Sequence, residues 1–216
     1  MIAIRFVSSL VSVTDRSKWI LAIDRQLSEH LAPEWSCVAP TIVDADSVTL
    51  GAKTPIIQVL DRISAAGALG DHSEEGGRII GEVGVQTCLD YGASPSAVLS
   101  HECLEASKDP FVNMWADGPD GISYAFELCD LVQDGTYSID GVDVSNFLFP
   151  AAFDPEDKDG PYDFMGALTA PFSKTPGGYS IIRSAGPGSE TQLGARPPWK
   201  NGPLSRASRR LTGART

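Results

Sequence analysis

Residues 94–110 read S-P-S-A-V-L-S-H-E-C-L-E-A-S-K-D-P. Ser94 is a favourable N-cap, Pro95 suits the first helical position and Pro110 stops propagation, so the stretch predicts one helix of about four turns. Residues four apart on a helix project side by side, which brings His101 and Glu105 onto one face with Glu102 alongside. An imidazole and a carboxylate so placed suit one cation, and Glu102 is positioned as a catalytic base that polarises a water on it. The competing reading is an ordinary i,i+4 pair on a half-exposed helix.

Zinc accepts carboxylate oxygen as well as imidazole nitrogen, although a carboxylate shifts preference towards harder ions. A third ligand must come from elsewhere. In Y-A-F-E-L-C-D at 124–130, apolar and other residues alternate, so Ile122–Cys129 predicts a strand with Glu127 inside it. Strands deplete glutamate and burial penalises an unpaired charge, so Glu127 requires a cationic partner. Glu127 and Asp130 are the candidate ligands, with Asp109 a further one if the helix extends that far. An ion pair between Glu127 and Arg78 or another surface arginine is the alternative.

With 216 residues the chain suits one domain plus a tail. Its formal net charge is −11, yet residues 191–216 hold six Lys or Arg and no acidic residue, leaving 11 basic and 28 acidic residues, −17 net, for 1–190. The acidic body disfavours nucleic acid as a partner, and the basic tail suits an acidic neighbour. Cys37, Cys88, Cys103 and Cys129 follow one another at gaps of 51, 15 and 26 residues, a spacing of buried thiols rather than of a disulfide framework or zinc knuckle. His30, His72 and His101 are the only histidines, so an all-histidine metal site would need every one. No stretch reaches the ~18–20 apolar residues of a membrane-spanning helix, and the N-terminus lacks a clear signal-cleavage pattern. A soluble cytoplasmic product is the expectation.

Along the chain, residues 2–13 predict a first strand. A helix capped by Thr14 or Asp15 follows to about Leu31, ended by Pro33, with Trp19, Ile20, Ile23, Leu27 and Leu31 as its core stripe. Val38–Val43 and Pro55–Leu60 predict strands, the second buried on both faces. Asp61–Gly77 reads as a loop around His72, Arg78–Val85 as a strand, and Phe111–Trp115 as a strand joined to Ile122–Cys129 by a turn. Tyr137–Val144 predicts a hairpin about Asp140-Gly141. The acidic stretch 154–163 lacks the closing glutamate of a calcium loop and reads as solvated. A last strand falls within G-G-Y-S-I-I, and from Arg183 onward the composition predicts an extended Gly/Pro/Arg-rich tail.

Taken together, L-A-P-E-W at 31–35, A-L-G-D-H at 68–72, L-S-H-E-C-L-E-A-S-K-D-P at 99–110, Y-A-F-E-L-C-D at 124–130, Y-S-I-D-G-V-D-V-S-N-F at 137–147 and G-G-Y at 177–179 resemble a family of zincin-like proteins. That family, mostly of unknown function, is common in tailed-phage, prophage and bacterial genomes. The resemblance covers roughly residues 5–180. Its motif is His-Glu-x-x-Glu, which His101, Glu102 and Glu105 match, and Glu127 with Asp130 matches an accompanying Glu-x-Cys-Asp stretch. His72 lies in a Gly-x-His element where tyrosine is more usual than Asp71.

The resemblance implies an α+β fold: a single zincin-like domain over 1–182 with a mixed sheet, an N-terminal helix and a central metal-motif helix, then the tail over 183–216. It implies zinc on His101, Glu105 and Glu127, with Glu102 as catalytic residue if the site is active. In zincins a strand ahead of the metal helix binds extended substrate by edge pairing, and Ile79–Thr87 occupies that position. Two functions follow: a metallopeptidase, or a virion structural protein that keeps the fold and binds capsid, neck or tail subunits through its tail and loops. With no second histidine, signal peptide or propeptide in evidence, the structural reading is the expectation, with localisation to the virion after synthesis in the host cytoplasm.

Overall fold

The computed structural model describes residues 1–64, 67–184 and 190–196. In chain order its elements are β1 (Ile2–Phe6), α1 (Val13–Arg25), a π-helical turn (Gln26–Leu31) running into α2 (Ala32–Glu34), β2 (Ile42–Asp44), β3 (Ile56–Leu60), β4 (Gly70–Glu75), β5 (Arg78–Gly84), α3 (Val85–Asp90), α4 (Pro95–Lys108), β6 (Trp115–Asp117), β7 (Ile122–Ala125), β8 (Thr136–Ile139), β9 (Val142–Ser145), β10 (Tyr179–Ser184) and β11 (Glu190–Gly194).

The principal sheet has the order β2-β1-β3-β5-β4. β1 lies parallel to both β2 and β3, β3 lies parallel to β5, and β4 closes the edge antiparallel to β5. The apolar run at 56–60 takes the central position, and its Ile56, Ile57 and Val59 are buried, as expected for a strand covered on both faces. The fold is α+β with a mixed sheet and an N-terminal helix. Ile23, Leu27 and Leu31 of the first helical run pack in one core with Ile4, Ile57, Leu99, Leu104 and Phe147. Each contributes roughly 1.5–3 kcal/mol relative to exposure.

The first helix begins two or three residues earlier than the sequence suggests. Ser12 caps it, its hydroxyl accepting the Asp15 N–H (3.1 Å) and donating to the Asp15 carboxylate (2.6 Å). Nor does Pro33 end it: the Ala32 N–H bonds to Leu27 C=O in π register, and Pro33 lies inside the last helical turn.

The stretch 61–77 differs most from expectation. Instead of one loop it contains β4, which carries His72 and is joined to β5 by Gly76 and Gly77 at φ +58° and +83°, the tight turn that fits the twist of paired strands. β5 is therefore hydrogen-bonded on both sides, and the free edge expected at 79–87 belongs to β4. Gln86 and Thr87 are already in α3.

A second, antiparallel sheet has the order β11-β10-β7-β6. β10 runs on to Ser184, and Glu190–Gly194 pairs with it, so part of the stretch read as tail returns to the sheet. Residues 197–216, and with them most of the proposed partner-binding tail, lie outside the described residues. β8 and β9 form the expected hairpin with Asp140 and Gly141 at φ +50° and +80°. A two-stranded ribbon is marginal alone. Here Ile139, Val142 and Val144 pack on Ala22, Trp19 and Tyr137.

Candidate metal centre

α4 forms as its sequence dictates. Ser94 is extended at the N-cap (φ −78°, ψ 119°) and Pro95 opens the first turn, while Asp109 leaves helical geometry at the C-cap. The helix lies between the principal sheet and β9, and all residues from Leu99 to Ala106 are buried. Two hydroxyls fasten it to the hairpin: Ser100 Oγ accepts the Ser145 N–H (2.8 Å) and Ser96 Oγ donates to Asp143 C=O (2.8 Å). A helix buried all round is normally apolar throughout. This one carries His101, Glu102 and Glu105 at 8, 5 and 5 % exposure, and buried ionisable groups persist only when partnered.

Their partners come from three segments. On one side His101 Nε2 lies 3.2 Å from Glu105 Oε1 and 3.6 Å from Asp130 Oδ1, so the half-exposed pair envisaged from sequence is in fact enclosed. Glu105 Oε1 also accepts the Cys129 N–H at 3.2 Å. On the other side Glu102 Oε2 lies 2.9 Å from His72 Nδ1, brought in on β4, and His72 Nε2 lies 3.4 Å from Asp109 C=O.

The strand expected at 122–129 stops at Ala125. The Glu127 N–H turns back onto Ala125 C=O (3.0 Å) and the Phe126 N–H bonds to Met114 C=O (3.1 Å). The chain beyond this turn brings Cys129 to Glu105 and Asp130 to His101. Glu127 is 3 % exposed and close enough to His72 for its charge to act on the imidazole. Arg78, its expected partner, donates from Nε to Thr54 C=O. Asp109 lies beyond the helix, and its carboxylate accepts the Asn113 and Met114 N–H groups (3.0 and 2.9 Å).

Burial by itself would hold both histidines below their ordinary range. Carboxylates overturn it: the hydrogen bond and charge of Glu102, with Glu127 and Glu105, push His72 up to about 10. Glu105, then Glu102 and Asp130, push His101 up to about 9. The Cys129 thiol moves well above its ordinary value through burial and the nearby Glu105 charge. All four cysteines are free thiols, three of them buried. Cys37 is half-buried, and Lys108 Nζ lies 2.8 Å from its sulfur.

Among the described residues, two sets of donor atoms each gather within 4.8 Å: His101, Glu105 and Cys129, and His72, Glu102 and Glu105. Glu127, the ligand expected from sequence, belongs to neither set. Cys129 takes a place that its sequence spacing suggests only for a buried thiol, though it lies in the Glu-x-Cys-Asp stretch at 127–130. The first set fits zinc, which binds imidazole, carboxylate and thiolate. Two ligands at 2.0–2.1 Å and a tetrahedral angle stand about 3.3–3.4 Å apart, and the His101–Glu105 separation of 3.2 Å is close to that value.

A cleft of about 570 Å³ opens beside the first set. His101 lines it together with the N-cap Ser94, with Ala97 and Val98 from α4 and with Asp143 and Ser145 from β9. Among the described residues no helix is long and apolar enough to cross a membrane. No family model, curated protein or solved structure matches this chain.

Proposed function

We propose that the chain is a zincin-like metalloprotein in which His101, Glu105 and Cys129 hold zinc as a structural centre, and that it serves as a structural subunit of a phage particle. One observation carries the metal reading: imidazole, carboxylate and thiol donors converge within 4.8 Å where the residues are only 8, 5 and 0 % exposed. Imidazole, carboxylate and thiolate are the donor types zinc binds, and here they are assembled within reach of one ion. Bound there, zinc supplies positive charge that ties α4 to the 126–130 segment. Support for a structural role comes from Glu102, whose Oε2 is engaged by His72 rather than free to serve as a base. The virion assignment rests on the sequence resemblance and on an acidic body suited to protein partners rather than nucleic acid.

A second reading, a zinc metallopeptidase, is favoured by one feature: His101 lines the cleft. In that case zinc supplies Lewis acidity and Glu102 accepts the proton of the attacking water.

The metal reading is tested by elemental analysis of purified wild type beside His101→Ala, with circular dichroism to check folding. Zinc in the wild type and its loss from a folded variant is expected; a folded, zinc-free wild type overturns the reading. Stoichiometric presence in purified particles, unaffected by Glu102→Gln, separates the virion protein from the peptidase. The peptidase instead requires peptide cleavage that Glu102→Gln abolishes.

A further inference from the structure

The second donor set is as enclosed as the first. His72, Glu102 and Glu105 are 4, 5 and 5 % exposed, their donor atoms lie within 4.8 Å of one another, and Glu105 is common to both sets. We infer that the site is dinuclear: a second divalent cation on His72 and Glu102, joined to the first through the Glu105 carboxylate. This inference rests on the metal reading above and extends it.

Geometry supports the second position. His72 Nδ1 and Glu102 Oε2 stand 2.9 Å apart, and two ligands at 2.0–2.1 Å and right angles stand about 2.9 Å apart. This nitrogen and oxygen set, without sulfur, suits an ion that tolerates octahedral coordination, such as manganese, as well as zinc. A carboxylate has two oxygens and accommodates two ions a few ångströms apart, the arrangement of two-metal sites. The backbone leaves room for it: Gly70 on β4 faces Glu102, and a Cβ there would lie 2.6 Å from Glu102 Oε1.

The test is metal content of the full chain saturated with zinc, and separately with manganese, after removal of free ion. Two ions per chain are expected in wild type, one in His72→Ala and one in His101→Ala. Where His72→Ala does not fold, Glu102→Gln, which preserves shape, is expected to hold one ion. The manganese-loaded wild type is expected to show an exchange-coupled paramagnetic resonance spectrum that either variant on the His72 side converts to that of an isolated ion. One ion in wild type, retained in His72→Ala or Glu102→Gln, overturns the dinuclear inference and leaves the His101 centre standing. Two ions in both wild type and these variants also overturn it. No ion in wild type overturns both readings.

Discussion

Glu102 occupies the space that a side chain at Gly70 would need. A Cβ built on Gly70 would lie 2.6 Å from Glu102 Oε1, 2.9 Å from Glu102 Cγ and 2.8 Å from Val98 Cγ1. β4 approaches α4 this closely because its first residue is glycine, and the approach brings His72 within 2.9 Å of the Glu102 carboxylate. Gly70→Ala is therefore expected to push Glu102 off His72, costing about 1–3 kcal/mol as overpacking and lowering the metal content to one ion. Denaturant titration and elemental analysis check this, and an unchanged variant would show that the close packing is immaterial.

The metal-free protein is expected to lose stability as pH rises. His72 and His101 are held protonated up to about 10 and about 9, above the ordinary histidine value near 6.5. Between those limits the folded chain binds more protons than the unfolded chain, so unfolding free energy falls with increasing pH. The contribution is complete below about pH 6.5 and is lost as pH passes through the folded values. Urea melts of chelator-treated protein from pH 6 to pH 10 would show it, and a flat profile would mean that the carboxylates do not hold these protons.

The same protons compete with metal. Cation affinity is therefore expected to rise steeply between pH 6 and pH 9, with proton release on binding. Isothermal titration calorimetry in buffers of differing ionisation enthalpy counts the protons. Binding without proton release would place the cation away from the two imidazoles.

Ser100 shows how the hairpin is fixed to the metal-motif helix. Its buried hydroxyl accepts the Ser145 N–H at 2.8 Å. Ser100→Ala leaves that amide buried and unsatisfied, at a cost of about 1–3 kcal/mol, measured as a drop in the denaturation midpoint. Arg25, in contrast, pairs with Glu29 and Asp140 on the surface with its side chain 43 % exposed, and Arg25→Ala is expected to leave the denaturation midpoint nearly unchanged.

Local patterns were legible in the sequence where one residue type commits the backbone. Ser94-Pro95 marked the start of α4, the apolar run at 56–60 marked the central strand, and Asp140-Gly141 marked the hairpin. β4 was hidden because an edge strand needs no apolar run: D-H-S-E-E is half solvated, and its strand character comes from pairing with β5. Gly76-Gly77 was the signal available. Cys129 was hidden for a different reason. Alternation through residues 124–129 is that of a strand, and only the turn of the Glu127 N–H back onto Ala125 C=O ends it, so that Cys129 and Asp130 meet Glu105 and His101. The Ser12 cap is masked in the sequence because Thr14 and Asp15 compete for the role, whereas Ser12 and Asp15 act together in the structure.

The measurement that bears most directly on the metal centre is zinc-edge X-ray absorption of the zinc-loaded protein, wild type beside Cys129→Ala. One sulfur scatterer at about 2.3 Å with nitrogen or oxygen ligands at about 2.0–2.1 Å, the sulfur vanishing in the variant, is the result expected of a centre built on His101, Glu105 and Cys129. A wild-type spectrum without sulfur, or one unchanged by Cys129→Ala, would contradict it.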